Sequence, residues 1–291
     1  MITIFTTTYN RAYSLPRLYN SLTKQANQDF EWLLIDDGST DETESVIKDI
    51  INKHKYSFPI RYYKETNSGK AAEINKGAFL ANGQWFYIVD SDDWLPKNAI
   101  ATIITEASKI QSKDVGVVCG MRFYENDTPV GTDSSFDTTE CTHFDFKYRN
   151  KASNQGDLAE VIRTSVLRLY PFPIFPGEKF CPEAVIFNRI AQKYKTRYFF
   201  KNIYYCEYQP DGLSANITKL RMENWQSSLL CYAEQAQCPI PINIRIRSWI
   251  NFWRFSFCAN RKIKSASYQV PFWAFLFKPL GYVFHLKDKR R

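Results

Sequence analysis

Through its first 125 residues the chain alternates short runs of β-branched and aromatic residues with stretches whose apolar positions recur at helical spacing. Residues 2–8 read as a strand, and Leu15, Leu18, Tyr19 and Leu22 then fall at i, i+3, i+4 and i+7, the spacing of one helix face. A strand over 31–35 leads into Ser39-Thr40-Asp41-Glu42, whose Ser…Glu spacing resembles a capping box with Ser39 as the cap; Val46, Ile47, Ile50 and Ile51 continue as a helix. A third strand at 59–63 precedes the turn Asn67-Ser68-Gly69 and a helix through Ala71, Ala72, Ile74 and Ala78, closed by Asn82-Gly83. Strand 84–89, helix 96–107 and strand 115–123 complete the series.

Such alternation predicts an α/β fold with a doubly wound, mostly parallel sheet, because parallel neighbours need a crossover helix. Ligands of these sheets bind at the carboxyl ends of the strands. Polar clusters stand at four of those ends: Thr6-Thr7-Thr8-Tyr9-Asn10, Asp36-Asp37-Gly38-Ser39, Asn67-Ser68-Gly69-Lys70 and Asp90-Ser91-Asp92-Asp93. Residues 126–215 are less regular and read as an α+β acceptor-side extension, with a helix near 183–194. Residues 216–291 read as a helical, basic, aromatic-rich C-terminal region, so the expected division is 1–215 (halves 1–125 and 126–215) and 216–291.

A hydrophobic content of 44%, with 16% aromatic, is enough to build a core and excludes disorder; 11 Gly and 13 Pro exclude collagen-like and low-complexity chains. Seven scattered cysteines with no CxxC spacing disfavour a disulfide framework or a cysteine-rich zinc site. The start at 1–5 has no basic n-region or cleavage site, so the expected residence is cytoplasmic. The net charge of +8 is unevenly spread: from Lys219 onward there are 13 Lys and Arg against 3 Asp and Glu, leaving 25 against 27 before it. An anionic partner would therefore meet the C-terminal region.

Asp90-Ser91-Asp92 is the most informative spacing. In extended backbone, residues i and i+2 project to one side, so both carboxylates could converge on a hard cation, Mn²⁺ or Mg²⁺, which a diphosphate would share. Asp36-Asp37-Gly38-Ser39 sets a carboxylate where it could accept from a base N–H or a ribose hydroxyl, and Gly38 allows the tight turn. Lys70 lies at a helix start that already favours anions, although the surrounding sequence is not a P-loop.

Together, Thr7-Thr8-Tyr9-Asn10-Arg11, Asp36-Asp37-Gly38-Ser39-Thr40-Asp41, Asn67-Ser68-Gly69-Lys70 and Asp90-Ser91-Asp92-Asp93 resemble, in order and spacing, family 2 glycosyltransferases of the GT-A fold, of the bacterial surface-polysaccharide type. The resemblance covers residues 1–125 strongly and 170–215 more loosely. It implies an inverting, metal-dependent transfer of a sugar, hexosyl or N-acetylhexosaminyl, from a nucleotide-sugar donor, UDP-linked, to a hydroxyl of a glycan or lipid-linked sugar acceptor. Thr7 and Tyr9 would border the nucleoside, Asp37 would bind the base, Asn67 and Lys70 would lie by the nucleotide, Asp90 would contact ribose and the metal's water shell, and Asp92 would ligate the metal.

Inversion requires one general base. The segment Gly177-Glu178-Lys179-Phe180-Cys181-Pro182-Glu183-Ala184 resembles the family's later acidic motif and points to Glu183, with Glu178 second; Ala184 stands where a second adjacent acid is commoner. Gln209-Pro210-Asp211-Gly212-Leu213-Ser214 resembles a loop of many bacterial members. The Gln-x-x-Arg-Trp mark of processive synthases is missing, which favours transfer of single sugars.

In the C-terminal region, Arg245-Ile246-Arg247-Ser248-Trp249-Ile250-Asn251-Phe252-Trp253-Arg254-Phe255 mixes cations with large aromatics. On a helix this stretch could lie in an anionic membrane interface, peripheral on the inner face of the cytoplasmic membrane, or it could dock its aromatic face on the catalytic domain. No nucleic-acid-binding module is recognised, and the apolar stretch 272–284, broken by Lys278-Pro279, is too short to span a bilayer. Two rival readings are a nucleotidyltransferase, whose glycine-rich N-terminal signature is absent, and a scaffold protein carrying an inactive transferase domain.

Overall fold

The computed structural model describes residues 1–131, 135–149, 156–207, 216–259 and 265–290. The Gln209-Pro210-Asp211-Gly212-Leu213-Ser214 stretch lies outside them. The chain forms two compact units, one of Met1–Pro171 with Lys193–Glu207 and the other of Phe172–Gln192 with Tyr208–Arg291.

In the first unit the alternating pattern becomes β1 (Ile2–Thr8), α1 (Leu15–Thr23), β2 (Phe30–Asp36), α2 (Thr43–Lys53), β3 (Ile60–Lys64), α3 (Lys70–Leu80), β4 (Trp85–Ile88), α4 (Ala99–Ser108) and β5 (Val115–Phe123). Then follow β6 (Thr139–Cys141), α5 (His143–Tyr148), β7 (Leu158–Arg163), α6 (Thr164–Leu169) and, after an excursion into the second unit, β8 (Lys195–Tyr205). Among the described residues these strands form one sheet in the order β3-β2-β1-β4-β7-β5-β8-β6. β1 runs parallel to β2 and β4, β2 to β3, and β5 to β8. β7 enters antiparallel between β4 and β5, so the sheet is mixed rather than a continuous parallel series.

Every residue of β2 is buried, as a central strand covered on both faces requires. Ile2, Ile4, Trp32, Leu34 and Tyr87 meet Leu18 and Leu22 of α1, Ile47 of α2 and Ile100 and Ile103 of α4 on one face. On the opposite face Phe5 packs against α3 at Gly77. Each large apolar side chain so buried stabilises by about 1.5–3 kcal/mol. Glu31, the one acid inside β2's apolar run, is held by Thr3 Oγ1 (2.6 Å), the Asn82 N–H (2.7 Å) and Arg61 (3.0 Å). This doubly wound half brings the carboxyl ends of β1, β2, β3 and β4 to one rim.

The second unit contains α7 (Ala184–Ala191), α8 (Ile217–Glu223), α9 (Trp225–Gln237), α10 (Ile242–Ser256), two 3-10 turns at Ser265–Tyr268 and Phe272–Phe277, and α11 (Lys278–Lys289). Its core joins Leu229, Tyr232 and Ala233 of α9 to Trp249, Phe252, Trp253 and Phe255 of α10. The aromatic face of α10 is thus core, which corrects the expectation that residues 245–255 could meet a membrane. A helix with a strong aromatic stripe satisfies either environment equally well, and here α9 supplies the partner. All seven cysteines are free, and no described helix is long and apolar enough to cross a membrane.

Candidate active site

The loop after β1 is fastened to the loop after β2. Asn10 adopts φ 53°, and its Oδ1 accepts the N–H groups of Thr40 (2.8 Å) and Asp41 (3.3 Å). Its own N–H donates to Ser39 Oγ (2.9 Å). Ser39 therefore braces Asn10 and does not cap α2; Asp41 Oδ1 takes the Thr43 N–H (3.0 Å) at that helix start instead. Thr7 is half-buried near the end of β1, and Tyr9 projects into solvent.

The loop after β2 is tied in turn to the one after β3. Asp36 is fully buried and accepts the Ser39 N–H (2.8 Å), a structural use. Asp37, also buried, accepts the N–H groups of Ser68 (2.6 Å) and Gly69 (3.0 Å). Gly38 lies at φ 78°, and a Cβ there would come within 2.8 Å of the Asn67 nitrogen, so only glycine lets the two loops close. Two buried oxygens near this rim, Thr8 Oγ1 and Glu73 Oε2, have no hydrogen-bond partner among the described residues. Burial raises the Glu73 carboxyl, and the charges of Asp37 and Glu65 add to it, while Ser68 Oγ donates to its other oxygen (2.6 Å).

The acids after β4 are brought together by a turn, which corrects the extended backbone expected for Asp90-Ser91-Asp92. The Asp93 N–H donates to the Asp90 carbonyl (3.1 Å). Tyr204 on β8 holds the turn: its hydroxyl accepts the Asp90 N–H (3.0 Å) and donates to Asp93 Oδ2 (2.7 Å). Asp93 Oδ1 accepts the Glu207 N–H (3.2 Å), so this third acid faces the scaffold. Arg17 donates to the Asp92 carbonyl (2.5 Å) and to Glu207 (2.7 Å), and lies 4.0 Å over the Trp94 ring, which itself stacks on Tyr205. Trp94 and Tyr205 also wall a cleft of about 870 Å³ with Arg17, Lys24 and Lys97.

Asp90 and Asp92 keep their carboxylates partly open, each beside a cation. Lys70 Nζ lies 2.7 Å from Asp90 Oδ1, and Arg11 Nε 3.8 Å from Asp92 Oδ2. Burial opposes the charge on Asp90, but Lys70 and Arg122 outweigh it and hold this carboxyl below its ordinary range. Burial, followed by the charge of Asp90, raises Asp92. The same causes push Asp93 up to about 7. Two adjacent carboxylates whose joint ionisation is opposed make a set that a divalent cation would relieve, and their oxygens are the hard donors that Mn²⁺ and Mg²⁺ prefer. Among the described residues no group of three or more His, Cys, Asp or Glu could hold a metal, so a bound ion would take its remaining ligands from phosphate and water.

The two acids proposed for proton transfer lie in the second unit. Glu178 accepts the N–H groups of Gln226 (2.6 Å) and Ser227 (2.9 Å) and the Ser227 hydroxyl (2.6 Å), capping α9. Asn224 Oδ1 locks the same segment through the N–H groups of Lys179 (2.8 Å) and Phe180 (3.0 Å). Glu183, half-buried, stands at the N-cap position of α7, but its side chain makes no capping hydrogen bond. Sequence reasoning missed Tyr204, Arg122 and Glu73. The first two lie over a hundred and about thirty residues from the acids they serve, and Glu73 carried no signal beyond an acid in an otherwise apolar helix face.

The chain matches the model of the family described as Glycosyl transferase family 2 over residues 3–175. Abequosyltransferase RfbV of Salmonella typhimurium (strain LT2) is 38% identical over 101 residues, 34% of this chain and 30% of RfbV. Aligned stretches span less than half the length of the curated relatives, as with GlyG of Streptococcus pneumoniae serotype 4, 32% identical over 45% of this chain and 42% of its own. TarS 1–349 of S. aureus, in complex with UDP, superposes with a TM-score of 0.63 over 99% of this chain and 87% of its own at 20% identity, a likeness of fold.

Proposed function

The chain belongs to glycosyl transferase family 2, and on that premise we propose that it transfers a single sugar, hexosyl or N-acetylhexosaminyl, from a UDP-sugar to a hydroxyl of a glycan or lipid-linked acceptor. The observation that carries this reading is the pairing at one rim of Asp90 and Asp92 with Lys70 and Arg11. Two carboxylates and two cations, all partly exposed, suit a diphosphate with its counter-ion.

The base and ribose would occupy the loops after β1 to β3, with Thr7, Tyr9 and Asn67 at their border and Asp37 receiving the base. Thr8 Oγ1 and Glu73 Oε2 support a polar ligand nearby, because a buried polar atom without a partner costs about 1–3 kcal/mol unless something binds it. Lys70 would neutralise a phosphate oxygen. A divalent ion, Mn²⁺ or Mg²⁺, would be held by Asp92 with Asp90 beside it, and supplies positive charge against the departing diphosphate.

Transfer with inversion needs a base to take the acceptor proton, and we assign Glu183 to that role. Glu178 is spent on capping α9. Lys24 and Lys97, in the cleft beside Trp94, support an acceptor that offers negative charge to their amines. We place the reaction in the cytoplasm, in the synthesis of bacterial cell-surface polysaccharide, without a nucleic-acid partner. The reading is tested by measuring release of the nucleotide leaving group, UDP, GDP or CMP, from UDP-, GDP- and CMP-sugars with and without Mn²⁺. Release from a UDP-sugar that requires the ion is expected; pyrophosphate release from a nucleoside triphosphate would instead favour a nucleotidyltransferase.

A further inference from the structure

The last helix of the second unit presents the wrong face to solvent for a soluble helix. Along the segment from Phe272 through α11, the residues turned inward are Ala274, Gly281 and His285, with Asp288 partly buried. Phe272, Leu276, Leu280, Tyr282, Val283 and Leu286 are all exposed, Phe272 at 92% and Leu276 at 78%. An isolated exposed leucine needs no explanation; a run of large apolar residues on one short segment does.

The orientation is fixed. A Cβ at Gly281 would lie 2.6 Å from the Trp253 Cβ, so α11 crosses α10 at a point that only glycine allows. Arg254 grips both carboxylate oxygens of Asp288 (2.5 and 2.7 Å), and Trp253 Nε1 donates to the Ala274 carbonyl (2.7 Å). Rotating the apolar side inward would break all three. The only acid between Phe272 and Arg290 is thereby paired, whereas Lys278, Lys287, Lys289 and Arg290 accompany the apolar residues at the surface.

We propose that the segment 272–290 is a docking surface for an anionic lipid bilayer, lying in the headgroup region with its aromatic and aliphatic side chains toward the acyl chains. Charge complementarity selects this occupant: four cations beside exposed Phe, Trp, Tyr and Leu match an anionic interface, and a second copy of the same face would bring like charges together. This surface is not the 245–255 stretch that the sequence pointed to, whose aromatics are core, and it does not depend on the reaction proposed above.

The test is flotation of the full chain with vesicles of phosphatidylcholine alone and with a third phosphatidylglycerol, for wild type, Leu276→Asp/Val283→Asp and Lys287→Glu/Lys289→Glu. Both double variants alter exposed side chains, and unchanged thermal melting would show that they fold. Expected are binding to the anionic vesicles only, weakened by raised salt, and at least a tenfold loss in each variant with nucleotide binding unchanged. Equal binding by wild type and Leu276→Asp/Val283→Asp, or none to anionic vesicles, overturns the proposal. So does concentration-dependent self-association that this variant abolishes in place of vesicle binding.

Discussion

Lys70 Nζ lies 2.7 Å from Asp90 Oδ1, joining the start of the helix after β3 to the acid after β4. Both side chains are about a quarter to a third exposed, so the pair is open to a ligand and contributes modestly to stability. A lysine at a helix start adds to an N-terminus that already attracts anions. Lys70→Met is expected to weaken UDP binding about 10- to 100-fold, the loss of one charge-assisted hydrogen bond. Calorimetric titration checks this, and an unchanged affinity would remove Lys70 from the nucleotide site.

Tyr204 holds the acidic turn from β8, with its hydroxyl between the Asp90 N–H and Asp93 Oδ2. Tyr204→Phe leaves both groups unpaired in a buried place and should cost about 1–3 kcal/mol in urea unfolding. Transfer should fall more than UDP binding does in metal-free buffer, because the turn carries Asp92. A variant as stable and as active as wild type would contradict this role.

Glu183 and Glu178 separate by what they hold. For Glu183→Gln, donor binding should be retained and the transfer rate should fall about 10²- to 10⁴-fold, the usual worth of a positioned base. Glu178→Gln should lower stability by about 1 kcal/mol through the α9 cap, with catalysis per folded molecule little changed. Comparing single-turnover rates with melting temperatures distinguishes the two; the opposite pattern would transfer the base role to Glu178.

The pH dependence of stability should carry the mark of Glu106. Burial opposes its charge, yet hydrogen bonds from Lys201, Lys109 and Arg197 outweigh burial and bring its carboxyl down to about 2. A folded-state value below the unfolded one stabilises above the ordinary carboxyl range, and that stability is lost as pH falls from about 4.5 toward 2. After allowance for the exposed lysines, Glu106→Gln should cost about 1–2 kcal/mol at pH 7 and much less at pH 2.5. A cost that does not change with pH would contradict the assignment.

The strands and helices through β5 were legible because each is a local pattern: Leu15, Leu18 and Leu22 mark a helix face whatever lies around them. The four polar clusters were legible for the same reason, being punctuation after apolar strands. What was not legible depends on pairing across the chain. β7 takes its place between β4 and β5 through contacts with segments some forty and seventy residues away, and Tyr204 reaches the Asp90–Asp93 turn from over a hundred. Ser39 satisfied the local rule for a cap, but Asn10 from another strand end claimed its hydroxyl. The aromatics of α10 and α11 show the same limit, since composition alone does not tell which stripe faces the core.

The most direct test is UDP binding measured with and without Mn²⁺ in wild type and Asp92→Asn, whose near-identical shape preserves the turn. Tighter binding with the ion in wild type, by tenfold or more, and no such gain in the variant, is the expected result. An equal gain in both proteins, or none in either, would contradict the claim that the acids after β4 hold a metal for a diphosphate.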